Sequence, residues 1–143
     1  MHAIAPDAVD TRVLLVASEP HGRALVLELR RARVEAELAA SLTELRARAG
    51  REESSAPHVV LLDLDLRETT DEALVELVHL AVPGIPVVAL DHDLCGERAA
   101  RLLTLGVPSL NKPVTVPALA LVVRRLSPAA ASAIGATPPS SGR

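Results

Sequence analysis

Two hydrophobic rhythms alternate along this chain. Short apolar runs recur at residues 11–16 (TRVLLV), 34–39 (VEAELA), 58–64 (HVVLLDL), 85–90 (IPVVAL) and 107–110 (VPSL). Each is too short for a helix by itself, and β-forming residues dominate most of them, which predicts five strands. Between the runs, apolar positions fall at helical spacing. Leu25, Leu29 and Ala32, with Ala24 and Leu27 beside them, predict a helix that Pro20 opens and that extends through Arg33. Ser41 predicts a cap for a helix over 42–49 that Gly50 stops. Leu74, Leu77, Val78 and Ala81 mark a helix over 71–81, broken by Pro83-Gly84. Further helices are predicted over 97–105, ending at Gly106, and over 117–126.

Strand then helix, five times over, predicts a parallel α/β sheet covered on both faces. One domain over 11–126 accounts for the whole pattern, with a flexible segment at 1–10 and a polar loop at 51–57. Residues 127–143 are rich in Ala, Pro and Ser and predict a disordered tail, too short and too polar to fold as an output domain. No internal repeat is visible.

Composition narrows the function. Hydrophobic residues make up 49% of the 143 positions, enough for a core, but Phe, Tyr and Trp are absent. Leu, Val and Ala must fill that core, and stacking on nucleic-acid bases is not available. The net charge of −3, with both signs interspersed, predicts no nucleic-acid surface. The single cysteine, Cys95, excludes an internal disulfide and a cysteine-built zinc site. Residues 1–10 lack a basic start and a long apolar run, and no uncharged apolar stretch reaches membrane-spanning length. A cytoplasmic protein with no membrane partner is the expectation.

In parallel sheets ligands gather at the carboxyl ends of the strands. The residues there are Ala17-Ser18-Glu19, then Asp63 and Asp65, then Asp91-His92-Asp93, then Asn111-Lys112-Pro113. Asp63 follows four apolar residues, so its carboxylate is costly to bury without a partner. Lys112 is the natural partner. It is the only lysine, and every other cation among the 15 basic residues is Arg. A lone Lys in such a background suits a site that wants a compact ammonium rather than a planar fork. Spacing alone fits an ion pair tying two strand ends together as well as a functional site.

Three segments, HVVLLDLDL (58–66), GIPVVAL (84–90) and GVPSLNKP (106–113), together resemble the receiver domain of bacterial response regulators. The resemblance covers about residues 11–126 and the whole strand–helix order. It implies a doubly wound, flavodoxin-like (βα)5 fold with strand order 2-1-3-4-5. It maps the family's phospho-accepting aspartate to Asp63 and its lysine to Lys112. In the family a histidine kinase donates the phosphoryl group, Mg²⁺ neutralises the crowded oxygens, and a Ser or Thr after the fourth strand moves toward the new charge.

The sequence departs from that pattern at several positions. The acidic pair that holds the metal falls on Ala17 and Ser18, leaving Glu19 as the nearest acid. The hydroxyl residue maps to Asp91, whose carboxylate is expected to repel a phosphoryl group and to compete for Lys112. His92 replaces a small residue and either narrows access to Asp63 or sits solvated in the loop. The aromatic switch position maps to Ser109. Asp65 stands where the family's metal meets a backbone carbonyl, and its side chain is expected to be exposed.

Two arrangements of these acids stay open. Glu19, Asp63, Asp65 and Asp91 could form a rearranged acidic metal site. Alternatively Asp63 and Asp91 both pair with Lys112 and fix one state without metal, which is the preferred expectation. The leading functional expectation is a pseudo-receiver, a phosphorylation-independent interaction module in signal transduction, with no catalytic residue and no required cofactor. The alternative is a response regulator phosphorylated on Asp63, with Mg²⁺ held by Glu19, Asp63 and the backbone carbonyl of Asp65. By resemblance the protein partner, a histidine kinase or another signalling protein, contacts the face from Glu97 to Leu126, which also suits a homodimer. A small-molecule enzyme using Ser18 and His92 has no acyl-transfer motif to support it.

Overall fold

A computed structural model describes residues 11–49, 56–66, 69–92 and 96–127. Its strands are β1 (Arg12–Val16), β2 (Glu35–Ala39), β3 (Val59–Asp63), β4 (Val87–Asp91) and β5 (Ser109–Asn111). Its helices are α1 (Glu19–Arg31), α2 (Leu42–Ala49), α3 (Asp71–Ala81), α4 (Glu97–Thr104) and α5 (Val116–Leu126). The strands form one parallel sheet in the order β2-β1-β3-β4-β5. No described helix is long and apolar enough to cross a membrane. The predicted flexible segment 1–10, most of the predicted loop 51–57, Asp93 and Cys95 lie outside the described residues.

Strand composition tracks position in the sheet. The strongest apolar runs, β3 and β4, are buried at every residue and lie inside the sheet. The weaker run became β2 at the edge, where Glu35 and Glu37 are exposed while Ala36 and Ala39 are buried.

Side chains of successive strand residues point to opposite faces, and this splits the core in two. Leu14, Val16, Val60, Leu62 and Ala89 pack with Leu45 of α2, Leu74 and Val78 of α3 and Leu102 of α4. Val13, Leu15, Val59, Leu61, Val88 and Leu90 pack with Val26 and Leu29 of α1 and Leu119 and Val123 of α5. The even-numbered residues of β3 and the odd-numbered residues of β4 thus face α2–α3–α4. That parity decides the chemistry of the strand ends.

Element boundaries shift where the backbone chemistry requires it. Prolines withhold a ladder donor, so β4 begins after Pro86 and β5 after Pro108. Both still accept through their carbonyls, from Val60 N–H (2.9 Å) and Ala89 N–H (2.9 Å). Arg33 adopts φ 68°, the left-handed turn that separates α1 from β2. Ser41 caps α2 as expected, its Oγ accepting from Glu44 N–H at 3.2 Å. Thr115 starts α5 one residue before the predicted opening by accepting from Ala118 N–H at 3.3 Å. Ser127, placed in the predicted tail, is fully buried and donates its N–H to Val123 O at 3.0 Å. The rest of that tail lies outside the described residues.

Candidate functional site at the strand ends

Asp63 is the last residue of β3, and only 8% of its side chain is exposed. Its Oδ1 accepts from Lys112 Nζ at 2.6 Å and from the Asp65 backbone N–H at 2.9 Å. Lys112 lies just beyond β5 and precedes a cis peptide bond to Pro113. Its backbone N–H donates to Asp91 O at 2.7 Å, which holds the chain beside β4. The expected Asp63–Lys112 pair is therefore present.

Asp65 is exposed, as the sequence reading expects, and it also joins the cluster. Its Oδ2 takes a second hydrogen bond from Lys112 Nζ at 2.9 Å, and His92 Nε2 lies 3.4 Å away. Exposed Asp65 and His92 form the outer rim of this cluster. Burial pushes the Lys112 ammonium down, but hydrogen bonds to Asp63 and Asp65 outweigh it and hold the pKa above its usual value.

Asp91 does not share Lys112, contrary to the sequence expectation. The reason is the two-residue period of the strand. Asp91 has the parity of Val87 and Ala89, which face α2–α3–α4, whereas Asp63 has the parity of Val59 and Leu61, which face α1–α5. Asp91 therefore meets α4. Its Oδ1 accepts from Arg98 Nη1 at 3.0 Å and from the His92 backbone N–H at 2.8 Å. Its Oδ2 is buried without a hydrogen-bond partner among the described residues.

Sequence reasoning overlooked Arg98 and Asp71. One edge of the Arg98 guanidinium grips both oxygens of the Asp71 carboxylate, with Nε–Oδ2 at 2.5 Å and Nη2–Oδ1 at 2.7 Å. A third, longer bond runs from Nη2 to Leu64 O at 3.4 Å. One side chain thus joins α4, the start of α3, the end of β4 and the segment after β3. Hydrogen bonding to Asp71 holds the guanidinium above its already high pKa, against burial.

The remaining candidate positions point away from metal chemistry. Val16 pairs with Leu62, which brings Ala17 alongside Asp63. Ala17 is 1% exposed and belongs to the α1–α5 core, and a Cβ placed on Gly22 of α1 would lie 3.2 Å from the Ala17 Cβ. Ser18 is half-buried at the start of α1, where its side chain makes no capping hydrogen bond. Glu19 is exposed and ion-paired with Arg23 one helical turn on. Ser109 is half-buried in β5 and pairs in register with Ala89. The rearranged acidic site expected as one arrangement does not assemble. Glu19 engages Arg23, and Asp91 lies on the other face from Asp63. Among the described residues no group of three or more His, Cys, Asp and Glu side chains is arranged to hold a metal ion. The donor set does not fit the Mg²⁺ implied by the resemblance.

Comparison with known proteins divides between sequence and structure. No family model and no curated protein matches the sequence. Solved structures do match. A two-component response regulator from Clostridium difficile superposes with a TM-score of 0.70 at 16% identity, over 82% of this chain and 95% of that one. A response regulator receiver domain protein from Clostridium thermocellum gives 0.69 at 20% identity, over 89% and 99%. A chemotaxis response regulator from Vibrio cholerae gives 0.67 at 22% identity, over 81% and 98%. With its five parallel strands in the order 2-1-3-4-5, this chain has the fold of the response regulator receiver domains.

Proposed function

We propose that this chain is an atypical receiver module that signals through protein contact rather than through a phosphoryl group on Asp63. The observation that carries this reading is Ala17. A buried methyl group stands at the end of β1 beside Asp63, where metal-assisted phosphoryl transfer calls for a carboxylate. The nearest acid, Glu19, is turned to Arg23. Asp63 and Asp65 already share the Lys112 ammonium, which supplies locally the positive charge a metal would bring. The proposed contact surface is the face from Glu97 to Leu126, and the partner is a histidine kinase or another signalling protein. A homodimer through the same face fits the reading. No chemical step is assigned to the chain, and a cytoplasmic location follows from a signalling role of this kind.

One observation favours the alternative. Asp63 sits at a buried strand end with Lys112 at 2.6 Å, an arrangement suited to accepting a phosphoryl group. A structural neighbour from Burkholderia pseudomallei, 19% identical, carries a phosphorylated aspartic acid and a calcium ion. Intact-mass measurement after incubation with a small phosphodonor and Mg²⁺ separates the two readings. The expected result is no adduct. A stable phosphoryl adduct that disappears in Asp63→Asn would establish the alternative.

A further inference from the structure

We infer that Arg98 is a positioning residue that fixes α4 on the sheet and makes the α4 surface independent of events at Asp63. The inference rests on the interaction reading only in assigning that surface to a partner. The clamp itself follows from the geometry below.

Helix α4 is weakly held by other means. Leu102 is its only fully buried residue. Its N-cap is Gly96, in the left-handed conformation, which brings no side chain of its own to cap the first turn. Leu103 is exposed at 63%, and Leu105, just past the helix, at 38%. The apolar anchor therefore lies toward the carboxyl end, and the amino end depends on polar contacts. Arg98 is the second residue of the helix. A cation there works against the helix macrodipole, which favours negative charge in the first turn. The position makes sense because of what the guanidinium reaches: both oxygens of Asp71, Oδ1 of Asp91 and the carbonyl of Leu64. The carboxylates of Asp71 and Asp91 are exposed at only 14% and 3%. A planar fork with fixed donors sets distance and angle together, which a single ammonium does not.

The clamp uses different side chains from the Asp63 cluster: Arg98 reaches Asp71 and Asp91, whereas Lys112 reaches Asp63 and Asp65, and strand parity turns Asp63 and Asp91 to opposite faces of the sheet. The links between the two run through the backbone of Lys112 and Leu64 and through His92, whose N–H meets Asp91 and whose ring lies 3.4 Å from Asp65. Asp91 stands where the resemblance places a mobile hydroxyl residue. Here it is tied to α4 by an ion pair whether or not Asp63 carries a new group.

Hydrogen exchange of the full chain, resolved by mass spectrometry, tests this. In Arg98→Met, amides of residues 97–105 are expected to exchange at least about tenfold faster, while β1 and β3 stay protected, because the loss is local rather than global. Arg98→Lys should fall between, since it keeps charge without the fork. Asp63→Asn and Lys112→Met should leave α4 within twofold of the native chain. If Arg98→Met fails to fold, Asp91→Asn and Asp71→Asn preserve shape and each should speed α4 exchange by severalfold. Unchanged α4 exchange in Arg98→Met, or in both Asn variants, overturns the clamp. A change in α4 as large in Asp63→Asn as in Arg98→Met overturns its independence. Neither result depends on whether Asp63 takes a phosphoryl group, so the earlier mass measurement can fail while the clamp stands.

Discussion

Lys112 and Arg98 each hold two aspartates at the carboxyl edge of the sheet, one on each face. The two clusters carry similar charges but differ in burial and in what they connect. Lys112 joins Asp63 to Asp65, two residues apart in one strand-end segment, and Asp65 keeps 38% of its side chain in water. Arg98 joins two carboxylates that are almost out of water and that belong to different elements, α3 and β4. The first arrangement neutralises one buried charge near the surface. The second cross-links helices. Burial of the partners, more than the number of ion pairs, decides what each cation contributes, because a carboxylate that water cannot reach has no substitute partner.

That contrast orders the expected losses. Arg98→Met strands the buried carboxylate of Asp91, whose Oδ2 already has no hydrogen-bond partner among the described residues, and strips the two-point contact from Asp71, which keeps Arg101 Nη2 at 4.0 Å. It should lower unfolding free energy by about 3 kcal/mol, as for other broken buried pairs. Urea denaturation followed by circular dichroism measures it. Combining it with Asp91→Asn should cost less than the two single losses added, because the second change relieves the charge stranded by the first. Strict additivity would mean that Arg98 and Asp91 do not interact energetically.

Lys112→Met should cost less, about 2 kcal/mol, since it strands one buried carboxylate, Asp63, while solvent reaches Asp65. The composition gives this variant a second readout. Lys112 is the only lysine and there is no tyrosine. Lys112 has a folded pKa above its usual 10.5, so its stabilisation is complete below 10.5 and is lost as pH rises through the higher folded value. Native chain and Lys112→Met should therefore converge in stability on the alkaline side. A gap that persists or widens above that range would mean that the lysine stem, not its charge, carries the effect.

The sequence made one cluster legible and hid the other for a physical reason. An acid at the end of an apolar run and a lone lysine both announce a pair, and the pair is present at 2.6 Å. The strand–helix order likewise exposed the sheet, because β3 and β4 read as unbroken apolar runs only when both faces are covered. Asp91 misled because nearness in the sheet was taken for a shared face. Its parity with Val87 and Ala89 was available in the sequence and assigns it to α4. Arg98 was hidden among many arginines, although a cation in the first turn of a helix was itself a signal that something other than the macrodipole held it. The absence of a carboxylate at Ala17 and Ser18 was legible, but only packing revealed that Ala17 belongs to the core beneath α1.

The smallest effect gives the sharpest version of the comparison. Asp65→Asn removes the exposed arm of the Lys112 cluster and leaves the bond to Asp63 in place. It should cost at most about 0.5 kcal/mol, the usual scale for a solvent-exposed ion pair. Moderate salt should shrink even that, because the Asp65 arm is screened, whereas the cost of Arg98→Met should persist between 0.05 and about 0.5 M salt. The matched substitution on the other face, Asp71→Asn, weakens a doubly bonded guanidinium contact that is mostly buried and should cost several times more. Urea melts of the two variants at low and high salt measure the pair directly. If Asp65→Asn proves as costly as Asp71→Asn, and equally indifferent to salt, the two clusters are energetically alike. Helix cross-linking on the α4 side would then lose its energetic basis.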